Sequence, residues 1–284
     1  MVRKIGYIFF LAFLYFFSES RTDGFRTTKI IFNFNNKNYS NKNFEDYEKI
    51  FSQKFTYLGR GRQFFVFESE DKKYVIKFIN YNNICPIYIL KKFSFINFVK
   101  KSIERKNKRY PLTFGSIKLA FNRLKDEAAI IYIHLNDMYK IKKKIQIISK
   151  YGQPFKIDLD KTVFFVQKKI DPIYPSLERC YMEGGEELLK KRLNNVLDLF
   201  ILRAKKCVSD DDLNVETNIG FIKDKAKIID IGKLFKDDKL KNKKNFKKEI
   251  LKSTKFLRLW VKKKYPSISF YLDKEIEEKT KNLF

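Results

Sequence analysis

Two glycines, Gly59 and Gly61, stand just before a run of strand-forming residues, and Lys77 closes that run. Glycine leaves the backbone free to approach a phosphate group, and Val66, seven residues after Gly59, stands where such loops set an apolar side chain over a base. Lys77 lies between Ile76 and Phe78, so strand alternation turns it to the face opposite both. Farther along, Asn218 and Asp230 are 12 residues apart with two short apolar segments between them. An amide and a carboxylate on adjacent loops suit a hard cation and leave room for phosphate oxygens. Asp210 and Asp212 precede Asn218 by eight and six residues. Other chemistry is closed off. The chain has one histidine, His134, and three cysteines, Cys85, Cys180 and Cys207, at no metal-ligand spacing. Lysine, carboxylate and amide remain.

Particular elements must position these groups. Phe55 to Phe78 reads as two strands turning at Glu70-Asp71. A basic, aromatic insertion occupies 80–114. The stripe Ile117, Ala120, Leu124, Ala128 and Ile131 then predicts a helix over 116–131 with Ser116 as N-cap. Glu127 borders that stripe and points inward; Asp126, about 100° farther round, is the second choice. A hairpin turns at Tyr151 to Pro154, and Val163 to Gln167 is a buried-strand run. Leu189, Leu193, Val196, Leu197, Phe200, Ile201, Ala204 and Cys207 place a core helix over 186–207.

In this order the features resemble the protein-kinase-like superfamily, in a divergent, minimal, bacterial-type form. Gly59 and Gly61 match the first two glycines of its nucleotide loop, and Val75-Ile76-Lys77 matches the strand lysine. Asn218 and Asp230 bracket a hairpin as the catalytic-loop Asn and the Asp of the DFG-type motif do, and Asp230-Ile231-Gly232 continues that motif. The resemblance runs from Phe55 to Leu234. It implies an α+β, two-lobed fold, with a small antiparallel β-sheet N-lobe carrying one helix (51–168) and a mainly helical C-lobe (169–284).

It further implies ATP and Mg²⁺ as cofactors. Lys77, ion-paired with Glu127, would hold the α and β phosphates; Gln167 would open the hinge that meets adenine; Asn218 and Asp230 would hold Mg²⁺; Asp212 would serve as base. The chain departs from the pattern at three points. Phe64 replaces the third glycine, Leu213 stands at the usual base position with no His-Arg-Asp, and no Ala-Pro-Glu segment follows. The implied activity is transfer of the γ-phosphoryl of ATP to a hydroxyl of a protein or small molecule. The alternatives are a pseudokinase serving as an interaction module and a basic polyanion-binding protein without catalysis.

The 284 residues, 44% hydrophobic, allow one domain or two packed lobes and exclude wholesale disorder. Lys plus Arg number 61 against 33 acids, a formal charge of +28. That charge attracts polyanions, but the lysines are spread diffusely among Asn, Ile and Phe, which disfavours nucleic acid as partner. The run 236–264 holds 13 Lys plus Arg and three acids. Its helix, with Phe246, Ile250, Leu257, Trp260 and Val261 on one side, offers either a solvated face or a dock for an acidic partner or anionic membrane. At the N-terminus, Arg3 and Lys4 precede an uncharged run from Ile5 to Phe17 and then Ser18-Glu19-Ser20. Residues 1–20 therefore read as a signal peptide or membrane anchor, giving a secreted or anchored protein, with a cytoplasmic one as the alternative. Residues 21–50 read as a linker, with one strand over 29–34.

Overall fold

The computed structural model describes residues 2–31, 47–84, 95–135 and 140–281. The fold is α+β. It divides into two units: Met1–Tyr110 with Ile131–Lys168, and Pro111–Ile130 with Lys169–Phe284.

The first unit opens with helix α1 (Val2–Arg21), followed after a short 3₁₀ turn by α2 (Glu48–Phe51). Strands β1 (Lys54–Arg60), β2 (Phe64–Ser69) and β3 (Tyr74–Ile79) form a meander of three strands where two were expected, because the chain also turns between Arg60 and Phe64, and α3 (Tyr81–Ile84) follows. Helix α4 (Asn97–Arg123) spans the division between the units at Pro111. Then come β4 (Ile130–His134), β5 (Lys144–Ile148), β6 (Pro154–Asp158) and β7 (Phe164–Lys168). The seven strands make one sheet in the order β4-β7-β3-β2-β1-β5-β6. The sheet is mixed and not purely antiparallel, because β1 pairs with β5 in parallel.

Alternation sorts the sheet into two faces. Phe65, Phe67, Ile76, Phe78, Phe164 and Val166 turn one way into an aromatic core that also holds Phe51, Phe55 and Tyr132. Edge-on ring contacts such as Phe51 with Phe164, 5.8 Å between centroids, fill it. The expected linker is corrected at both described ends. Phe25, Ile30, Ile50 and Phe51 are buried in this core, and Ile31 bridges Thr162, so apolar burial makes these residues part of the fold. Of the strand expected over 29–34, Lys29 belongs to the 3₁₀ turn and residues 32–34 lie outside the described residues. The end of α1 is tied down as well: Glu19 pairs with Arg26 at 2.7 Å and with Lys29 at 3.0 Å.

The second unit is mainly helical. It contains β8 (Asp171–Pro172), α5 (Ile173–Lys205), β9 (Val208–Asp210), α6 (Val215–Asn218), β10 (Ile219–Ile222), β11 (Lys225–Ile228), β12 (Leu234–Lys236), α7 (Lys243–Lys264) and α8 (Pro266–Lys281). The predicted stripe of α5 is buried. The helix breaks at Gly184 and Gly185; Gly185 has φ +59° and ψ −150°, a region that side chains exclude. On α7, Phe246, Ile250, Leu257 and Val261 are buried, and Trp260 stacks on Tyr174 at 4.5 Å.

Candidate functional site

In the first unit, cross-strand register brings three predicted residues onto one face. Val66 stands opposite Lys77, Lys77 opposite Phe165, and Val75 opposite Gln167. Val66, Lys77 and Gln167 thus share the face away from the aromatic core. Lys77 is 5% exposed and its Nζ lies 5.7 Å from the centre of the Phe165 ring. Gln167 is buried too. Gly59 lies near the end of β1, beside a bulge after Tyr57, and Gly61 N–H donates to the Phe64 carbonyl at 2.9 Å. Neither glycine has a positive φ, and a Cβ at either would meet nothing within 4 Å. The fold itself therefore requires glycine at neither position.

Helix α4 corrects the predicted helix over 116–131. It begins far upstream, absorbing the second half of the expected insertion, and stops at Arg123. Ser116 is consequently not an N-cap; its hydroxyl donates to the Ile231 carbonyl. The turn after α4 closes with Ala129 N–H on Asp126 O at 3.1 Å and Ile130 N–H on Lys125 O at 2.9 Å, and Ala129 sits at φ +48°. That is a left-handed helix stop made without glycine. Glu127 lies in this turn, buried, with Oε1 on Lys206 Nζ at 2.7 Å and its backbone carbonyl accepting from Ile228 N–H at 2.8 Å. Oε2 has no hydrogen-bond partner among the described residues.

The hairpin β10–β11 pairs Ile219 with Ile228, which brings its flanks together. Ile229 N–H donates to the Asn218 carbonyl at 2.7 Å, so Asn218 and the residue before Asp230 are directly bonded. The Asn218 side chain is fixed from two sides: Thr217 Oγ1 donates to its Oδ1 at 3.0 Å, and its Nδ2 donates to the Asp212 carbonyl at 3.2 Å. Asp230 accepts from Gly232 N–H at 2.8 Å through Oδ1. Asp212 is more heavily engaged, with Lys233 Nζ at 2.6 Å and Asn214 N–H at 3.1 Å. Burial pushes its carboxyl up, but these partners outweigh burial and hold it below the usual carboxylate range. Asp212, Asn218 and Asp230 thus gather in the second unit.

Behind them lies a buried ionic network that sequence reasoning missed. Arg203 of α5 reaches Asp210 at 3.4 Å, Glu249 of α7 at 3.2 Å and Ser253 Oγ at 2.7 Å. Asp210 Oδ1 in turn accepts from Asp212 N–H at 2.8 Å, so the network fixes the backbone that carries Asp212. Asp210 itself is pushed up to about 6, by burial above all; Arg203 and the Asp212 N–H oppose that, while the charges of Asp230 and Asp212 add to it. The signal was present in the sequence. Arg203 and Glu249 fall within apolar stripes, where a charge needs a buried partner.

Among the described residues no group of three or more His, Cys, Asp or Glu side chains is arranged to hold a metal ion. A divalent ion here would draw on the Asn218 amide, the Asp230 carboxylate and the phosphate oxygens of its own ligand.

No family model matches the chain, and no curated protein does. Solved structures do align with it. A crystal structure of WbdD aligns at 16% identity and TM-score 0.36, covering 69% of this chain and 35% of that one. The complex of Rv3197 with erythromycin from Mycobacterium tuberculosis aligns at 13% and 0.36, covering 67% and 48%. A co-crystal structure of WbdD with a kinase inhibitor aligns at 18% and 0.32, covering 66% and 35%. The chain spans about a third to a half of the length of these structures.

Proposed function

We propose that the protein binds Mg·ATP and transfers its γ-phosphoryl to a hydroxyl, in the manner of a divergent protein-kinase-like phosphotransferase. The observation that carries this reading is the hairpin β10–β11, with Asn218 at one end, Asp230 just past the other, and Asp212 hydrogen-bonded to Asn218 through its carbonyl. An amide and a carboxylate held in this way suit Mg²⁺ with phosphate oxygens, and an adjacent carboxylate suits an acceptor hydroxyl. Gly59, Gly61, Val66, Lys77 and Gln167 are the residues to which the nucleotide is assigned. Glycines that the fold does not need, and a buried lysine on the same face as Val66 and Gln167, support that assignment. Glu127 keeps its expected role as partner of Lys77 as part of this reading.

A second reading is favoured by a specific contact. Lys233 sits 2.6 Å from the Asp212 carboxylate, and a carboxylate so engaged is a weaker base, as a pseudokinase would tolerate. Titration calorimetry with ATP, with and without Mg²⁺, tests the shared part. Asp230→Asn is expected to abolish the Mg²⁺-dependent binding; unchanged binding removes the metal role. Radiolabel transfer separates the two readings. Asp212→Ala should cut turnover by about 10² to 10⁴ with ATP binding retained, whereas binding without transfer to any acceptor or to the chain itself gives the pseudokinase the lead.

A further inference from the structure

We infer that the outward face of α7 docks onto an anionic phospholipid surface. In this helix Lys244, Lys248, Leu251, Lys255, Leu259 and Lys262 recur at three and four residues and are all exposed. That spacing puts them along one side of the helix, opposite the buried stripe of Phe246, Ile250, Leu257 and Val261. The one acid of α7, Glu249, is turned inward onto Arg203, so the outward face carries no negative charge. Among the described residues no ion pair engages Lys244, Lys248, Lys255 or Lys262. Leu251 is 37% exposed and Leu259 55%, set between the lysines, and Phe256 beside them is 44% exposed.

A cationic face with apolar side chains embedded in it fits the boundary between lipid headgroups and acyl chains. Ammonium groups meet phosphate and carboxylate there while Leu and Phe enter the apolar layer. Nucleic acid would satisfy the lysines but leave Leu251 and Leu259 in water. The only arginine of α7, Arg258, is paired with Asp273 at 2.6 Å, so the side chain best suited to base edges is already engaged. This inference is independent of the phosphotransferase reading.

The test is sedimentation of the full chain with vesicles of phosphatidylcholine alone and of phosphatidylcholine mixed with phosphatidylserine. Binding should require the anionic lipid and fall with salt. The variant Lys244→Glu/Lys248→Glu/Lys255→Glu/Lys262→Glu should bind anionic vesicles less tightly by about tenfold or more. Leu251→Ser/Leu259→Ser, which keeps every charge, should retain the salt-sensitive part and bind more weakly. Helix α1 is unchanged throughout, so any lipid binding of its own remains constant. A matching Lys→Gln variant replaces the charge reversal if the latter does not fold. Equal binding to neutral vesicles, undiminished binding of the lysine variant, or displacement by duplex DNA with no effect of the leucine changes would each overturn the inference.

Discussion

The two units bury charge in opposite ways. In the first, Lys77 is set on a sheet face between Val66 and the Phe165 ring, and strand alternation alone decides that it points there. In the second, Arg203 of α5 is buried in the company of Asp210 of β9 and of Glu249 and Ser253 of α7. A strand places one side chain by its period; a network needs several elements to have docked already. The first arrangement places its group by local period, whereas the second makes the Asp212 loop and the helical packing depend on one another.

That contrast is broken most severely at Arg203. Arg203→Met would leave Asp210 and Glu249 buried without their shared cation, and a loss of about 3–5 kcal/mol is expected in chemical denaturation. A smaller effect follows from pH. Asp210 titrates near 6 when folded against 3.8 ordinarily, so between those values the folded chain keeps a proton that the unfolded chain has lost. The stability from that proton is complete below about 3.8 and is lost as pH rises through about 6, an effect of roughly 3 kcal/mol. Asp210→Asn should flatten the slope in that window; an unchanged slope would show that another group causes it.

Next is Gly220, where a Cβ would stand 2.1 Å from the Asp171 backbone oxygen. No rotamer relieves that contact, so Gly220→Ala should cost about 1–3 kcal/mol by thermal melting and loosen the hairpin between Asn218 and Asp230. The smallest effect is expected from Lys77→Met. The unbranched substitute fills the same place between Val66 and Phe165, so stability should move by about 1 kcal/mol or less while nucleotide affinity falls. A large drop in melting temperature would erase the proposed difference between the units.

What the sequence revealed and what it hid follow the same physical line. The inward turn of Lys77, the Val163 to Gln167 strand, the stripe of α5 and the hairpin between Asn218 and Asp230 all depend on local periodicity, and they were legible. The turn that follows α4 was not, because its left-handed residue is Ala129, where glycine would have announced it. Ile131, counted as the end of a helix stripe, belongs instead to β4. The upstream half of α4 was hidden behind Pro111, which reads as a helix breaker yet lies inside the helix. The parallel pairing of β1 with β5 and the partners of Arg203 are set by contacts between distant residues, about which periodicity says nothing.

The β1–β5 pairing also bears on how the chain is made. Lys54 meets Gln146 across a stretch that includes residues 111–130, which pack with the second unit. Closing so long a loop is entropically slow, and a chain growing from its N-terminus has β1 to β3 in hand well before the partner of β1 is synthesised. Until then the edge of β1 that β5 will cover is open to strands of other chains. Lys54 and Arg60 at its ends and the bulge after Tyr57 are features that discourage such pairing, so the composition of this strand guards a nascent edge that the finished fold no longer exposes.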